Sequence, residues 1–149
     1  MGYDLQNEKG NTFRFSIWGY SPVLTLAEEY GWEPKGTVLP HPRINEEEGA
    51  EEEWDGGYFT NDGQTVKSED AKGIAEALTK ALDDISDVEQ EHPLGKTKGT
   101  GTMSDIQEKM NELHSLEGDK LLRMFSGEQK KAGIRKFIGF LQEGSYVTW

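Results

Sequence analysis

The chain has 149 residues and a formal net charge of −12, from 28 acidic and 16 basic side chains, and it contains no cysteine. This length favours a single domain, and the lack of cysteine excludes disulfides, thiol nucleophiles and thiolate metal sites in this chain. Because a negative field repels nucleic acid phosphates and anionic lipids, we expect no direct nucleic acid binding.

The first part of the chain predicts a hairpin followed by a helix. Residues 2–6 and 12–18 predict two strands, because apolar and polar side chains alternate in the second and a turn-like sequence separates them. A helix with apolar residues at helical spacing comes next. We expect Ser21 to cap its start and Gly31 to end it.

The middle of the chain predicts a loop, a second hairpin and a second helix. Residues 32–53 contain three prolines and predict an extended loop, with a short strand at 37–39 and a flexible acidic part at 45–53. Residues 58–66 predict a short hairpin with an Asp-Gly turn. The second helix carries a continuous apolar stripe, and we expect Ser68 to cap it. Glu69 and Asp70 are placed at its start, where the helix dipole favours negative charge.

The last part of the chain predicts a linker and further helices. Residues 86–103 lack core-forming side chains and predict a flexible linker. Capping boxes at Ser104 and Ser126 predict helix starts, and Gly144 ends the last helix. Residues 145–149 are a candidate terminal strand.

These elements predict one α+β domain over residues 1–149. Its small antiparallel sheet combines the N-terminal hairpin, the second short hairpin and, as a further candidate, the C-terminal strand. About four helices cover this sheet. No apolar run reaches the roughly 18 residues that span a bilayer, and the first residues lack the features of a secretory signal. We therefore expect a cytoplasmic protein that does not bind membranes.

Charge is unevenly distributed along the chain. Residues 1–91 hold 21 acidic and 7 basic side chains, a net charge of −14, whereas residues 92–149 hold 7 acidic and 9 basic, a net charge of +2. The first explanation of the acidic part is good solubility, and the alternatives are mimicry of a nucleic acid and capture of a basic protein. The basic side of the last helix, which includes Lys131, is interpreted as solvated, with docking near the acidic half as the alternative.

The candidate binding residues are mostly aromatic. Seven of the ten residues from Glu46 to Asp55 are carboxylates, and this run leads into an aromatic, glycine-rich stretch. Tryptophan and tyrosine side chains in loops are favoured anchors of binding surfaces, and they are equally suited to core packing. The candidate ligand- or partner-binding residues are Trp18, Trp32, Trp54, Asp55, Tyr58 and Asp62.

No catalytic residue, metal site or cofactor is predicted. Lys96-Thr97 follows a glycine, but the phosphate-binding loop needs another glycine where this chain has Gln90. The three histidines form no close pair at ligand spacing. The acidic run lacks the alternating ligands of the calcium-binding loop.

Five short strings in the first half of the chain carry a resemblance to known proteins. They are Trp18-Gly19, Gly31-Trp-Glu-Pro-Lys-Gly-Thr37, Trp54-Asp-Gly-Gly-Tyr58, Asn61-Asp-Gly-Gln64 and Asp70-Ala71. Together they resemble a group of small uncharacterised bacterial proteins. The resemblance covers roughly residues 10–85 and implies no activity, cofactor or functional residue.

The sequence leaves three hypotheses for function. The leading one is a non-enzymatic interaction protein, similar to immunity or inhibitor proteins, whose acidic and aromatic surface binds a basic protein partner. The first alternative is a small-molecule-binding protein or small hydrolase whose aromatic-lined pocket uses Asp55 or His41 as its polar group. The second alternative is a structural subunit of a homo-oligomer, since the sequence leaves the oligomeric state open.

Overall fold

The chain folds as an α+β protein, as the sequence predicts. The computed structural model describes residues 2–16, 19–39, 43–45, 50–52, 56–59, 63–91, 107–108, 111–112 and 115–149. The strands are β1 (Gly2–Asn7), β2 (Thr12–Ser16), β3 (Thr37–Val38), β4 (Arg43–Asn45), β5 (Ala50–Glu52), β6 (Thr65–Val66) and β7 (Tyr146–Thr148). The helices are α1 (Tyr20–Glu29), α2 (Ser68–Asp84), α3 (Asp119–Met124) and α4 (Glu128–Leu141).

Five strands form one antiparallel sheet in the order β2-β1-β7-β6-β3. The predicted N-terminal hairpin is confirmed, with Leu5 opposite Phe13. The candidate terminal strand is confirmed as β7, which pairs with β1 on one side and β6 on the other. The two ends of the chain therefore meet at the centre of the sheet.

The second predicted hairpin differs in the structure. Residues 58–59 form a bend instead of a strand, residues 60–62 lie outside the described residues, and β6 pairs with β3 and β7. Side chains hold the main chain of this segment. The Tyr3 hydroxyl donates to the Phe59 carbonyl at 2.9 Å, and Thr37 Oγ1 donates to the Gly57 carbonyl at 2.7 Å.

Two strands lie where the sequence predicts an extended loop. β4 and β5 pair with each other as a separate antiparallel sheet, and β5 falls inside the segment 45–53 predicted as a flexible acidic loop. In the segment 86–103 predicted as a linker, the Gln90 main-chain N–H donates to Ser126 Oγ at 2.8 Å, and residues 92–103 lie outside the described residues.

Three predicted N-caps are wrong. Ser21 and Ser68 lie within the helices that they were expected to cap, and Ser126 precedes the cap of α4. The Ser126 hydroxyl instead donates to the Arg123 carbonyl at 2.6 Å. None of these three helices has a side-chain hydrogen bond at its cap, and the actual N-caps are Gly19, Lys67 and Gly127.

The core lies between one face of the sheet and helices α1, α2 and α4. Tyr20 and Tyr146 are fully buried at its centre, and their hydroxyls lie 2.7 Å apart in a hydrogen bond. This pairing satisfies two polar groups that burial would otherwise penalise. None of the helices in the described part of the chain is both long and apolar enough to cross a bilayer.

Candidate functional site

The structure describes two of the six predicted binding residues. Trp32 and Tyr58 are 5% and 8% exposed, and their rings make an edge-to-face contact with centroids 5.4 Å apart. Both side chains therefore belong mainly to the core. The other four predicted residues lie outside the described residues: Trp18, Trp54, Asp55 and Asp62.

A buried carboxylate, Asp70, joins Trp32 and Tyr58. Its Oδ1 accepts from Trp32 Nε1 at 3.3 Å and from the Lys35 main-chain N–H at 3.0 Å, and its Oδ2 accepts from the Tyr58 hydroxyl at 2.5 Å. Asp70 is 1% exposed and lies in the first turn of α2, where the helix dipole favours a negative charge. These donors replace the water that the carboxylate loses on burial.

The Tyr58 hydroxyl is held in its protonated form. Burial, followed by the hydrogen bond to Asp70, raises the pKa of Tyr58 well above its ordinary value. Its oxygen also accepts from the Gly36 main-chain N–H at 2.9 Å. The hydroxyl thus acts as a fixed donor and acceptor that ties two loops to α2.

Two glycines let these loops approach each other. Gly36 and Gly56 have φ values of +93° and +75°, and a Cβ at Gly56 would lie 3.3 Å from the Gly36 Cα. The Thr37 main-chain N–H donates to the Gly56 carbonyl at 3.1 Å. Because L side chains rarely adopt these φ values, the close contact depends on glycine.

A groove of about 240 Å³ opens beside Asp70, between the segment after α1 and the outer face of α2. We call it the acidic groove, because the carboxylates of Glu33, Glu69 and Glu76 outnumber the amines of Lys35 and Lys80. Lys35 Nζ already lies 3.9 Å from Glu33. The full lining is Tyr30, Gly31, Trp32, Glu33, Lys35, Glu69, Asp70, Gly73, Glu76, Ala77 and Lys80.

Negative charge continues from this groove to the ends of α1 and α2. Neither helix has a basic residue in its last turn, although the helix dipole favours one there. The Tyr30 hydroxyl donates to Asp84 Oδ2 at 2.7 Å and so links the two ends. Burial and this hydrogen bond raise the pKa of Tyr30 to about 12. The carboxylates at the two ends are Glu28, Glu29, Asp83 and Asp84.

A larger groove of about 380 Å³ lies between β2, α1, α3 and α4. We call it the apolar groove, because apart from Arg14 and Lys130 its lining is apolar. The sequence analysis did not predict this groove. The full lining is Phe13, Arg14, Phe15, Val23, Met124, Phe125, Lys130, Gly133, Ile134 and Phe137.

Sequence reasoning also missed the role of Asp70. It placed this residue only as a favourable charge at the start of a helix. The sequence contains a stronger signal for a buried position. Asp70, Ile74 and Ala77 follow the i, i+4, i+7 spacing of one helix face, and Ile74 and Ala77 are buried. A carboxylate on the buried side of a helix needs hydrogen-bond donors.

Among the described residues, no group of three or more His, Asp or Glu side chains is placed to hold a metal ion. No family model, curated protein or solved structure matches the chain.

Proposed function

We propose that the protein is a non-enzymatic interaction protein that binds a basic protein partner through the acidic groove and the adjoining ends of α1 and α2. The observation that carries this proposal is the coincidence of a concave surface with an excess of carboxylates. Three carboxylates line the groove's outer part, and Tyr30 connects it to the acidic helix ends.

The chemistry of the groove suits lysine and arginine side chains. A volume of about 240 Å³ accommodates a single long side chain, and carboxylates around it would accept charge-assisted hydrogen bonds. The Asp70 network keeps Trp32 and the adjoining loop in place before binding, which lowers the entropy lost on association. Exposed carboxylates further away would mainly raise the association rate.

The same geometry supports binding over catalysis in this groove. Both oxygens of Asp70 already accept hydrogen bonds, and Tyr58 keeps its proton because its pKa is raised. Tyr58 also lies outside the groove lining. The pocket of the small-molecule alternative would be lined by Trp18, Trp32, Trp54 and Tyr58. Of the two that the structure describes, Trp32 lines this groove and Tyr58 does not.

A pull-down with matched variants tests the proposal. The wild-type chain is used as bait at low salt, beside a Glu33→Gln/Glu76→Gln double variant and a control, Glu112→Gln, whose side chain is exposed and outside the groove. A captured basic protein is then purified and titrated calorimetrically. We expect about tenfold weaker binding for the double variant and no change for the control.

Salt provides a second measurement on the same complex. We expect affinity to fall as ionic strength rises from about 0.05 to 0.3 M, because exposed charge pairs are screened. The proposal fails if no basic protein binds specifically, or if the double variant captures the same protein with unchanged affinity.

A further inference from the structure

The outer edge of β2 offers main-chain hydrogen-bonding groups. Among the described strands, β2 pairs only with β1. Asp4, opposite Arg14 in this pair, exchanges both of its main-chain hydrogen bonds with Trp149 on the other side of β1. Because bonded and non-bonded pairs alternate in an antiparallel ladder, the N–H and C=O groups of Arg14 and Thr12 point away from β1.

The apolar groove borders this open edge. Phe13 and Phe15 are half-buried on the helix side of β2, with ring centroids 5.2 Å and 4.8 Å from that of Phe137. A strand added to β2 would lie about 4.8 Å from it, with every second side chain on the helix side. Those side chains would enter the groove beside the two phenylalanines.

Two positively charged side chains, Lys130 and Arg14, lie near this edge and would flank a strand added to β2. Lys130 and Arg14 both border the groove. Because side chains alternate along a strand, the Arg14 side chain lies on the face of β2 opposite Phe13 and Phe15. Arg14 Nε is 3.5 Å from Asp4, but both side chains are largely exposed, at 73% and 65%. Such a pair is weak, so Arg14 can also bind a second carboxylate.

We propose that the apolar groove and the open edge of β2 bind an extended peptide segment in which apolar and acidic residues alternate. Main-chain hydrogen bonds to Thr12 and Arg14 add the segment to the sheet, as in other cases of strand addition. Its apolar side chains fill the groove, and its carboxylates on the opposite face meet Arg14. This site is separate from the acidic groove and has the opposite preference for charge.

A second copy of the chain fits this edge less well. Antiparallel pairing of two β2 strands about a twofold axis brings the two Arg14 side chains towards each other, and like charges placed opposite are destabilising. An acidic segment from a different protein satisfies Arg14 instead.

Two glycines of α4 provide a matched test. A Cβ at Gly133 or at Gly139 would meet nothing within 4 Å, but only Gly133 lines the groove. We expect Gly133→Leu to fill the groove and weaken binding at least tenfold, and Gly139→Leu to leave it unchanged. The probe is a fluorescent synthetic peptide of alternating valine and glutamate, titrated by anisotropy, and thermal unfolding checks that both variants fold.

A proline tests the strand pairing. Thr12→Pro removes an N–H that points to the open edge and keeps the hydrogen bonds to β1, so we expect it to weaken binding while Thr12→Ala does not. We also expect a peptide with lysine in place of glutamate to bind more weakly. The acidic-groove double variant should bind the probe like the wild type, which separates this proposal from the proposed function.

Three outcomes overturn the inference. One is unchanged peptide binding by Gly133→Leu or Thr12→Pro. Another is binding of decanoate, a small apolar carboxylate, in the groove without binding of the peptide, which assigns the groove to a small ligand. The third is a dimer in analytical ultracentrifugation that Gly133→Leu abolishes, which assigns the edge to a second copy.

Discussion

The two grooves use their aromatic residues in different ways. Beside the acidic groove, Trp32 and Tyr58 donate hydrogen bonds to buried Asp70 and are themselves buried. Beside the apolar groove, Phe13 and Phe15 pack on Phe137 and are only half-buried. The first set packs inside the fold, so charged side chains form most of the groove beside it, whereas the second set leaves apolar surface exposed in its groove.

The two regions also bury charges of opposite sign. Near the acidic groove the buried charge is Asp70, which is bonded by neutral donors. Near the start of α4 it is Lys131, whose side chain is 7% exposed and whose Nζ donates to the Ile85 carbonyl at 2.9 Å and to Asp87 at 2.8 Å. The interpretation of Lys131 as part of a solvated face is therefore wrong, because its long side chain reaches acceptors beyond the end of α2.

The largest expected effect comes from removing the carboxylate at the acidic groove. Asp70→Ala leaves the donors of Trp32, Lys35 and Tyr58 without their acceptor in a buried site, so we expect a loss of about 3 kcal/mol in the free energy of unfolding. Urea denaturation measures it. Glu69→Gln, one residue earlier and exposed, is the control and should change stability by less than about 1 kcal/mol. A loss below about 1 kcal/mol for Asp70→Ala would mean that the network does not hold this region together.

Removing one hydrogen-bond donor of the same network should reduce the free energy of unfolding by a smaller amount. Tyr58→Phe removes the hydroxyl that donates to Asp70 and accepts from Gly36, and we expect a loss of about 1.5 kcal/mol. Tyr30→Phe removes an exposed hydrogen bond to Asp84 and should cost less than about 0.5 kcal/mol. Equal losses in the two variants would contradict the assignment of Tyr58 to a buried network.

Local patterns predicted most of the architecture. The alternation in β2 and the apolar stripes of α1 and α2 are properties of neighbouring residues, so the hairpin, these helices and the terminal strand could be identified. The bend at Tyr58 could not, because contacts with Tyr3, Thr37 and Asp70 hold that segment. Such contacts join residues that are distant in sequence.

The candidate sites were harder to predict for the same reason. Trp32 and Tyr58 were chosen as aromatic residues in loops, and the structure brings them together. The residue that joins them is Asp70, which the sequence indicated only as a favourable charge at a helix start. The apolar groove depends on the spacing between β2 and α4, which no local pattern encodes. Sequence alone also could not show that Lys131 reaches Asp87.

Glycine substitutions in the two grooves should change stability in opposite directions. A Cβ at Gly73, in the acidic groove, would lie 2.9 Å from Trp32 Cδ1, whereas a Cβ at Gly133, in the apolar groove, meets nothing within 4 Å. Alanine at either position gains helix propensity, but at Gly73 it must displace a ring held by Asp70. We expect Gly133→Ala to stabilise by about 0.7 kcal/mol and Gly73→Ala to destabilise by about 1 kcal/mol, measured by urea denaturation. Stabilisation by both would show that the Trp32 side of the acidic groove is as adaptable as the apolar groove.

The smallest expected effect is the pH dependence of the ion pair at the start of α4. The hydrogen bond from Lys131, with its charge, lowers the pKa of Asp87 below its ordinary value. Because the folded pKa lies below the unfolded one, this pair stabilises the protein above about pH 4, and the contribution is lost as pH falls through the folded pKa. We expect Asp87→Asn to be less stable than the wild type at neutral pH, with the difference shrinking in acid, as followed by thermal unfolding.

High salt should also reduce this difference, because the Asp87 side chain is 68% exposed and its charge is screened. Lys131 keeps the Ile85 carbonyl as an acceptor in the variant, so the helix start should stay in place. A difference that persists unchanged at acid pH would show that Asp87 acts through its hydrogen-bonding shape and not its charge. In that case the buried amine depends on neutral hydrogen-bond acceptors, much as Asp70 depends on neutral donors, and the contrast between the two regions would lie in their surfaces alone.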